Sequence, residues 1–272
     1  MIPRITLSFV APALTMITTM MTTTASAVQD LTDVDEIVHR ANLASYYPGD
    51  DGRAQARMTI TDQGGRERIR QFTVLRRDQT DGADQDFVVL FSRPADVRNT
   101  VFLVKEHVGQ DDDRWLYLPD LDLVKRIAAA DKRTSFVGSH FFYEDGSGRG
   151  VEEDEHELVE TTGDFYVVKN TPKDTGSVEF SHWTAWIDKG TFIPAKMEYV
   201  DETGEIYRRV EALEVSEIGG HPTVTKMKVS DLRTGGHSVI EFRDVQYDLG
   251  IPENVFTERT LRNPPRQWFS SR

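Results

Sequence analysis

The 272-residue chain contains no cysteine. That absence excludes a disulfide framework, a thiolate nucleophile, a Cys-ligated zinc site and a thioether-linked lipid anchor. Positive charge is scarce: 32 Lys and Arg face 45 Asp and Glu, a formal net charge of -13. Such a balance repels nucleic acid and the anionic surface of a bilayer, though not a lipid molecule held in an apolar cavity. Catalytic and metal signatures are missing as well. The histidines His39, His107, His140, His156, His182, His221 and His237 form neither an H-x-x-x-H nor an H-E-x-x-H pattern. His156, within Glu152-Glu153-Asp154-Glu155-His156-Glu157, lacks calcium-loop spacing. Gly146-Ser147-Gly148-Arg149-Gly150 has neither the G-x-S-x-G order of a nucleophile elbow nor the lysine of a phosphate loop, and reads as a flexible connection. The acidic run Glu152 to Glu155 reads as a solvated turn. No cofactor, metal or catalytic group is implied.

Residues 1–27 have the form of a cleavable secretory signal peptide: Arg4, an apolar and Thr-rich run from Ile5 to Met21, then Ala25-Ser26-Ala27 as a small-x-small cleavage site. A membrane anchor is the weaker reading, because threonines interrupt the run and no basic cluster follows it. Loss of Arg4 on cleavage takes the net charge from -13 to -14. Residues 28–272 are then expected to form a single exported domain without stable membrane insertion, and the acidic surface favours a monomer.

One amphipathic helix is predicted, capped by Thr32, with Val34, Ile37, Val38, Ala41 and Ala44 on one face and Tyr46-Tyr47-Pro48-Gly49 ending it. Nearly everything after it reads as strand and turn. Ala54, Ala56, Met58 and Ile60 alternate with polar neighbours before a Gly64-Gly65 turn, while Phe87 to Phe91 and Val101 to Val104 are continuous apolar runs. The loop from Asp78 to Asp86 reads as polar and mobile. About eleven antiparallel strands at this spacing must curl. The predicted fold is mainly β with few helices: a strongly curved antiparallel sheet, or half-open barrel, under a helical lid. A β-sandwich is the alternative.

Two aromatic stretches stand out, Trp115-Leu116-Tyr117-Leu118-Pro119 and Ser135-Phe136-Val137-Gly138-Ser139-His140-Phe141-Phe142-Tyr143-Glu144-Asp145. The second is either a core plug or a loop lining an apolar pocket, and buried aromatics are more often core. Together with Lys125-Arg126-Ile127 and Tyr46-Tyr47-Pro48-Gly49-Asp50, these residues resemble the signatures of the outer-membrane lipoprotein-sorting protein family, a LolA-like group distinct from LolA itself. The resemblance covers residues 31–260. Two departures are visible: His140 stands where that family has Asp, and Asn99 where a glycine is expected before Thr100. The second suggests a changed strand start.

The resemblance implies a periplasmic protein of a Gram-negative cell, holding acyl chains or another hydrophobic ligand in a concave apolar face. Its partners would be a lipid or acylated lipoprotein and an RND-type inner-membrane transporter. A carrier of lipids or lipid-modified proteins is the leading reading, with Met58, Ile60, Trp115, Tyr117, Phe136, Phe141 and Tyr143 as candidate cavity wall. The alternative is an adaptor or sensor that docks a membrane protein and transports nothing. A lipid-acting enzyme is disfavoured by the missing nucleophile geometry.

Overall fold

The computed structural model describes residues 1, 30–78 and 80–269. The segment expected to be a signal peptide, apart from Met1, lies outside the described residues. The compact unit that carries the fold begins at Leu31.

Helix α1 (Val34–Tyr46) is capped by Asp33, one residue after the expected Thr32; its carboxylate accepts from the Asp35 and Glu36 amides at 3.1 and 3.4 Å. A carboxylate at this position also complements the positive end of the helix dipole, so Asp wins the cap over its neighbour. The helix buries Ile37 and Ala41 and stops where Pro48 removes a donor.

The strands are β1 (Asp51–Thr61), β2 (Glu67–Asp78), β3 (Gln85–Arg93), β4 (Val101–Lys105), β5 (Asp113–Leu118), β6 (Leu123–Ile127), β7 (Asp154–Thr161), β8 (Phe165–Pro172), β9 (His182–Asp188), β10 (Pro194–Val200), β11 (Ile206–Ile218), β12 (His221–Asp231) and β13 (His237–Tyr247). They form one antiparallel sheet in the order β6-β5-β4-β3-β2-β1-β13-β12-β11-β10-β9-β8-β7. Two meanders are thus joined where β13 pairs with β1, and β6 and β7 are left as edges. A single sheet of thirteen strands replaces the sandwich alternative and exceeds the expected eleven. In the short β6 only Ile127 is buried, so its sequence carries no alternation to mark it as a strand.

The two faces of the sheet carry different cores. On the concave face Ala56, Met58, Phe72, Phe91, Phe102 and Ile240 pack together. On the convex face Leu75, Val88, Leu90, Val101 and Leu103 are covered by the C-terminal segment through Ile251, Val255, Phe256, Leu261 and Phe269. That segment carries the short helices α2 (Glu258–Arg262) and α3 (Arg266–Phe269). Strands β3 and β4 are therefore buried on both sides, which is why their sequences are continuous apolar runs instead of alternating ones. The turn before β4 explains the missing glycine. Asn99 adopts φ 63°, a left-handed conformation that Asn tolerates better than most residues, so β4 still begins at Val101.

The C-terminal segment is pinned where it leaves β13. Asp51, 4% exposed, accepts the Leu249 and Ile251 amides, one on each carboxylate oxygen, both at 2.7 Å. Asp51→Ala leaves those amides without their acceptor and should cost about 3 kcal/mol of unfolding free energy. Denaturant titration checks this, and limited proteolysis should find new cleavage after residue 248.

Candidate ligand-binding cavity

A cavity of about 400 Å³ opens on the concave face, between the sheet, α1 and the 128–153 connection. Its floor is a row of side chains carried by the register. Ala54 pairs with Val74, Val74 with Val89, and Val89 with Phe102, and all line the cavity. From the opposite side α1 contributes Val38, Ala41 and Tyr46.

The connection between the edge strands shapes the rest. Its tip turns sharply between Phe136 and Phe141, whose backbones bond at 2.7 Å, with Val137 and Gly138 both at positive φ. The Ser139 hydroxyl closes the turn by donating to the Phe136 carbonyl at 2.7 Å. Phe136, Phe141 and Tyr143 are thereby delivered to the concave face, where Phe136 meets Phe102 at 5.3 Å and Tyr143 at 5.5 Å between ring centroids. All three line the cavity and belong to the core, so plug and pocket wall are one structure. His140 ties the tip to β13: its amide donates to the buried Ser238 hydroxyl at 3.1 Å and its Nδ1 lies 2.8 Å from the same oxygen. Burial holds its pKa below the ordinary histidine value.

Four other candidate wall residues lie elsewhere. Met58 and Ile60 are fully buried on the concave face, in the packed core outside the cavity. Trp115 and Tyr117 face the convex side with the C-terminal segment. The cause is strand parity: β5 turns Leu116 inward, so its neighbours point out.

Buried charge holds the connection in place, and here two sequence expectations fail. Within the supposed flexible connection, Ser147 is 2% exposed and donates to Asp112 at 3.1 Å. Arg149 bonds both oxygens of Asp154, with Nε at 3.0 Å from each. The supposed solvated turn contains that same Asp154, whose side chain is 1% exposed and also accepts from Trp183 Nε1 at 2.8 Å. Arg133 pairs with Glu144 and, at 2.8 Å, with Glu179. It also lies 5.0 Å from the Phe142 ring and 4.8 Å from that of Phe180. Burial alone would lower its pKa, but the two carboxylates outweigh that and raise it. Arg208 grips Asp145 and also lies over the Phe142 ring, at 4.4 Å. Among the described residues no group of His, Asp and Glu could hold a metal ion.

The C-terminal end of α1 is clasped from below. Arg76 donates to the Tyr46 carbonyl at 2.7 Å and the Pro48 carbonyl at 2.9 Å, satisfying acceptors that a helix end leaves open. The Tyr46 ring packs against Gly148, where φ is 93° and an added Cβ would come within 2.7 Å of the phenol ring.

Several solved structures share this architecture. A DUF1329 family protein from Desulfovibrio piger ATCC 29098 is 30% identical, with TM-score 0.76 over 84% of this chain and 97% of that one. An outer-membrane lipoprotein-sorting protein domain from Vibrio parahaemolyticus is 26% identical, with TM-score 0.76 over the same 84% and 97%. A LolA superfamily protein from Nitrosomonas europaea, 20% identical with TM-score 0.64 over 83% of this chain and 98% of that one, matches in fold. The model of a family described as uncharacterized proteins matches residues 83–263. No curated protein matches the chain. An unclosed, curved antiparallel sheet with helical cover puts the protein in the LolA-like class. Within that class the chain belongs to the DUF1329 family.

Two measurements probe this site. Gly148→Ala combines a strained backbone with a clash on Tyr46 and should destabilise by about 2 kcal/mol, read as a lower unfolding midpoint. Glu106, near the base of α1, is pushed up to about 8, first by burial and then by the charge of Asp112. The folded protein therefore holds a proton that the unfolded chain has released between pH 4.5 and 8. Stability should fall as pH rises through that window and level off above it. Glu106→Gln should raise Tm by several degrees at pH 9 and leave it unchanged at pH 4.

Proposed function

We propose that the protein is a periplasmic carrier of lipids or lipid-modified proteins, exported by the N-terminal segment and working without a catalytic group. The observation that carries the reading is the cavity itself. It has the size of a small-molecule site, its floor is aliphatic and aromatic, and its two covers are tethered separately, α1 by Arg76 and the connection by ion pairs. An acyl chain gains about 0.8 kcal/mol per methylene moved out of water, so affinity here needs burial and no chemistry. The V. parahaemolyticus neighbour, named for lipoprotein sorting, supports the same reading. No described helix is long and apolar enough to cross a membrane, as a shuttle requires. Phe136, Phe141 and Tyr143 stay in the proposed contact set, joined by Val74, Val89 and Phe102. An RND-type transporter is the proposed partner at the inner membrane, with the carrier acting as a monomer.

Native mass spectrometry of the mature protein, isolated from periplasm, should show a discrete added mass that is released as lipid on denaturation. A clean apo mass, with no uptake of lipids or acylated peptides offered afterwards, would sink the carrier reading. Ala54→Trp fills the floor from a half-buried position and should abolish uptake while shifting Tm by only a few degrees.

A further inference from the structure

The polar groups on the cavity wall divide into two sets. The charged ones already have partners. Arg76 is bonded to the carbonyls at the end of α1 and to Gln85 at 3.1 Å, and pairs with Asp78 at 3.4 Å. Arg149 is held by Glu153 and Asp154, and Arg53 also has its own partner. Asp145 takes Arg208 and the Phe142 amide. Arg208 Nε and Nη1 make no hydrogen bond, but they are sealed from the cavity and its guanidinium lies 4.4 and 5.1 Å from the Phe142 and Tyr199 rings. Among the described residues that line the cavity, each Arg already has a partner.

The second set is neutral and unpartnered. The phenols of Tyr46, Tyr143 and Tyr199 line the cavity without a hydrogen bond to any described residue, as does the Asn42 amide. Tyr143 and Tyr199 are 8% and 6% exposed. A phenol this deep ordinarily finds a partner, as Tyr207 does in Glu179 and Tyr247 in Thr223. The hydroxyl oxygens of Tyr46, Tyr143 and Tyr199 are absent from the sealed, unsatisfied atoms, so each keeps some accessible surface, and all three residues line the cavity.

The surroundings of Tyr46 disfavour a negative charge. Burial first, then Tyr199, Asp145, Glu106 and Glu144, all act to raise its pKa. An anion brought to the same place would meet first the same loss of water and then the Asp145 and Glu144 carboxylates.

Resting on the carrier reading, we propose that the cavity selects an uncharged amphiphile, a long-chain alcohol or glyceryl ester whose oxygens are hydrogen-bonded by Tyr46 and Tyr199, and that it rejects anionic headgroups. The apolar floor takes the chain, while the phenols read the neutral end.

Displacement of the neutral fluorophore 1-aminoanthracene at pH 8 tests this with two ligands of one chain length, monoolein and oleate. Monoolein should bind about ten-fold or more tightly than oleate, since only oleate carries a charge into the cavity. Tyr46→Phe keeps the ring on Gly148 and should weaken monoolein about two- to ten-fold, with oleate unchanged or improved. Tyr199→Phe should do the same independently. A diacylglyceryl peptide in a parallel arm separates protein-borne ester from free glycerolipid: binding of either supports the proposal, and the tighter one names the source. Oleate binding as well as monoolein, or phenylalanine variants that leave their ratio unmoved, overturns the proposal and leaves the carrier reading standing. Failure of the fluorophore and all ligands to bind overturns both.

Discussion

The structure depends on burying guanidinium groups beside an apolar cavity. A sheet that stops short of closing needs something to cross the gap between β6 and β7, and the chain crosses it once, through residues 128–153. Crossing means bringing turns, carbonyls and amides into a low-dielectric interior, where unpaired polar groups cost more than they do at the surface. Arg133, Arg149 and Arg208 meet that requirement by pairing with Glu144, Asp154 and Asp145. Their flat faces also stack on Phe142, Phe180 and Tyr199. Such pairs add little net stability over apolar packing, yet removing one partner strands a buried charge. Their effect is specificity: only one placement of the connection satisfies all of them, and that placement defines one wall of the cavity.

The cavity and the core are therefore two parts of one concave face. Met58 and Ile60 lie in the packed core alone, while Val89, Phe102 and Phe136 belong to that core and also line the cavity. The convex face is sealed over β2–β5 only. Across β9–β13 the outer surface is instead polar, with Arg209 bonded to Glu198 at 2.8 Å and Lys196 over Trp186 at 3.5 Å.

Much of this architecture was legible in the sequence. Alternation exposed β1, turn residues separated most strands, and the opening helix was placed to within a residue of its cap. Strand parity was the piece not used. Phe72, Val74, Val89, Phe102 and Leu116 share the face of Ala54 and Ala56, whereas Trp115 and Tyr117 fall on the other, and hairpin registers are needed to see it. Aromatic size drew attention to Trp115 for a poor reason, because a large side chain signals burial without saying against which layer. Ion pairs between distant segments were out of reach. Nothing near Gly146 in the chain announces that Arg149 will be buried, or that the acidic stretch after it will turn one carboxylate inward. Charged residues in a run look alike until the fold chooses among them.

The one-sided placement of the C-terminal cap gives the sheet uneven compliance. Strands β2–β5 are held between two apolar layers, so a displacement there must open packed contacts on both faces. Strands β9–β13 have protein on one side and water on the other, and they can bend by exchanging surface ion pairs for hydration at little cost. A bulkier guest would push the pliant half outward and leave the doubly backed half as a fixed reference wall. On the proposed carrier reading, the protein then has a jaw that yields and an anvil that does not, and one chain would grip cargoes of different girth without rebuilding its hydrophobic centre.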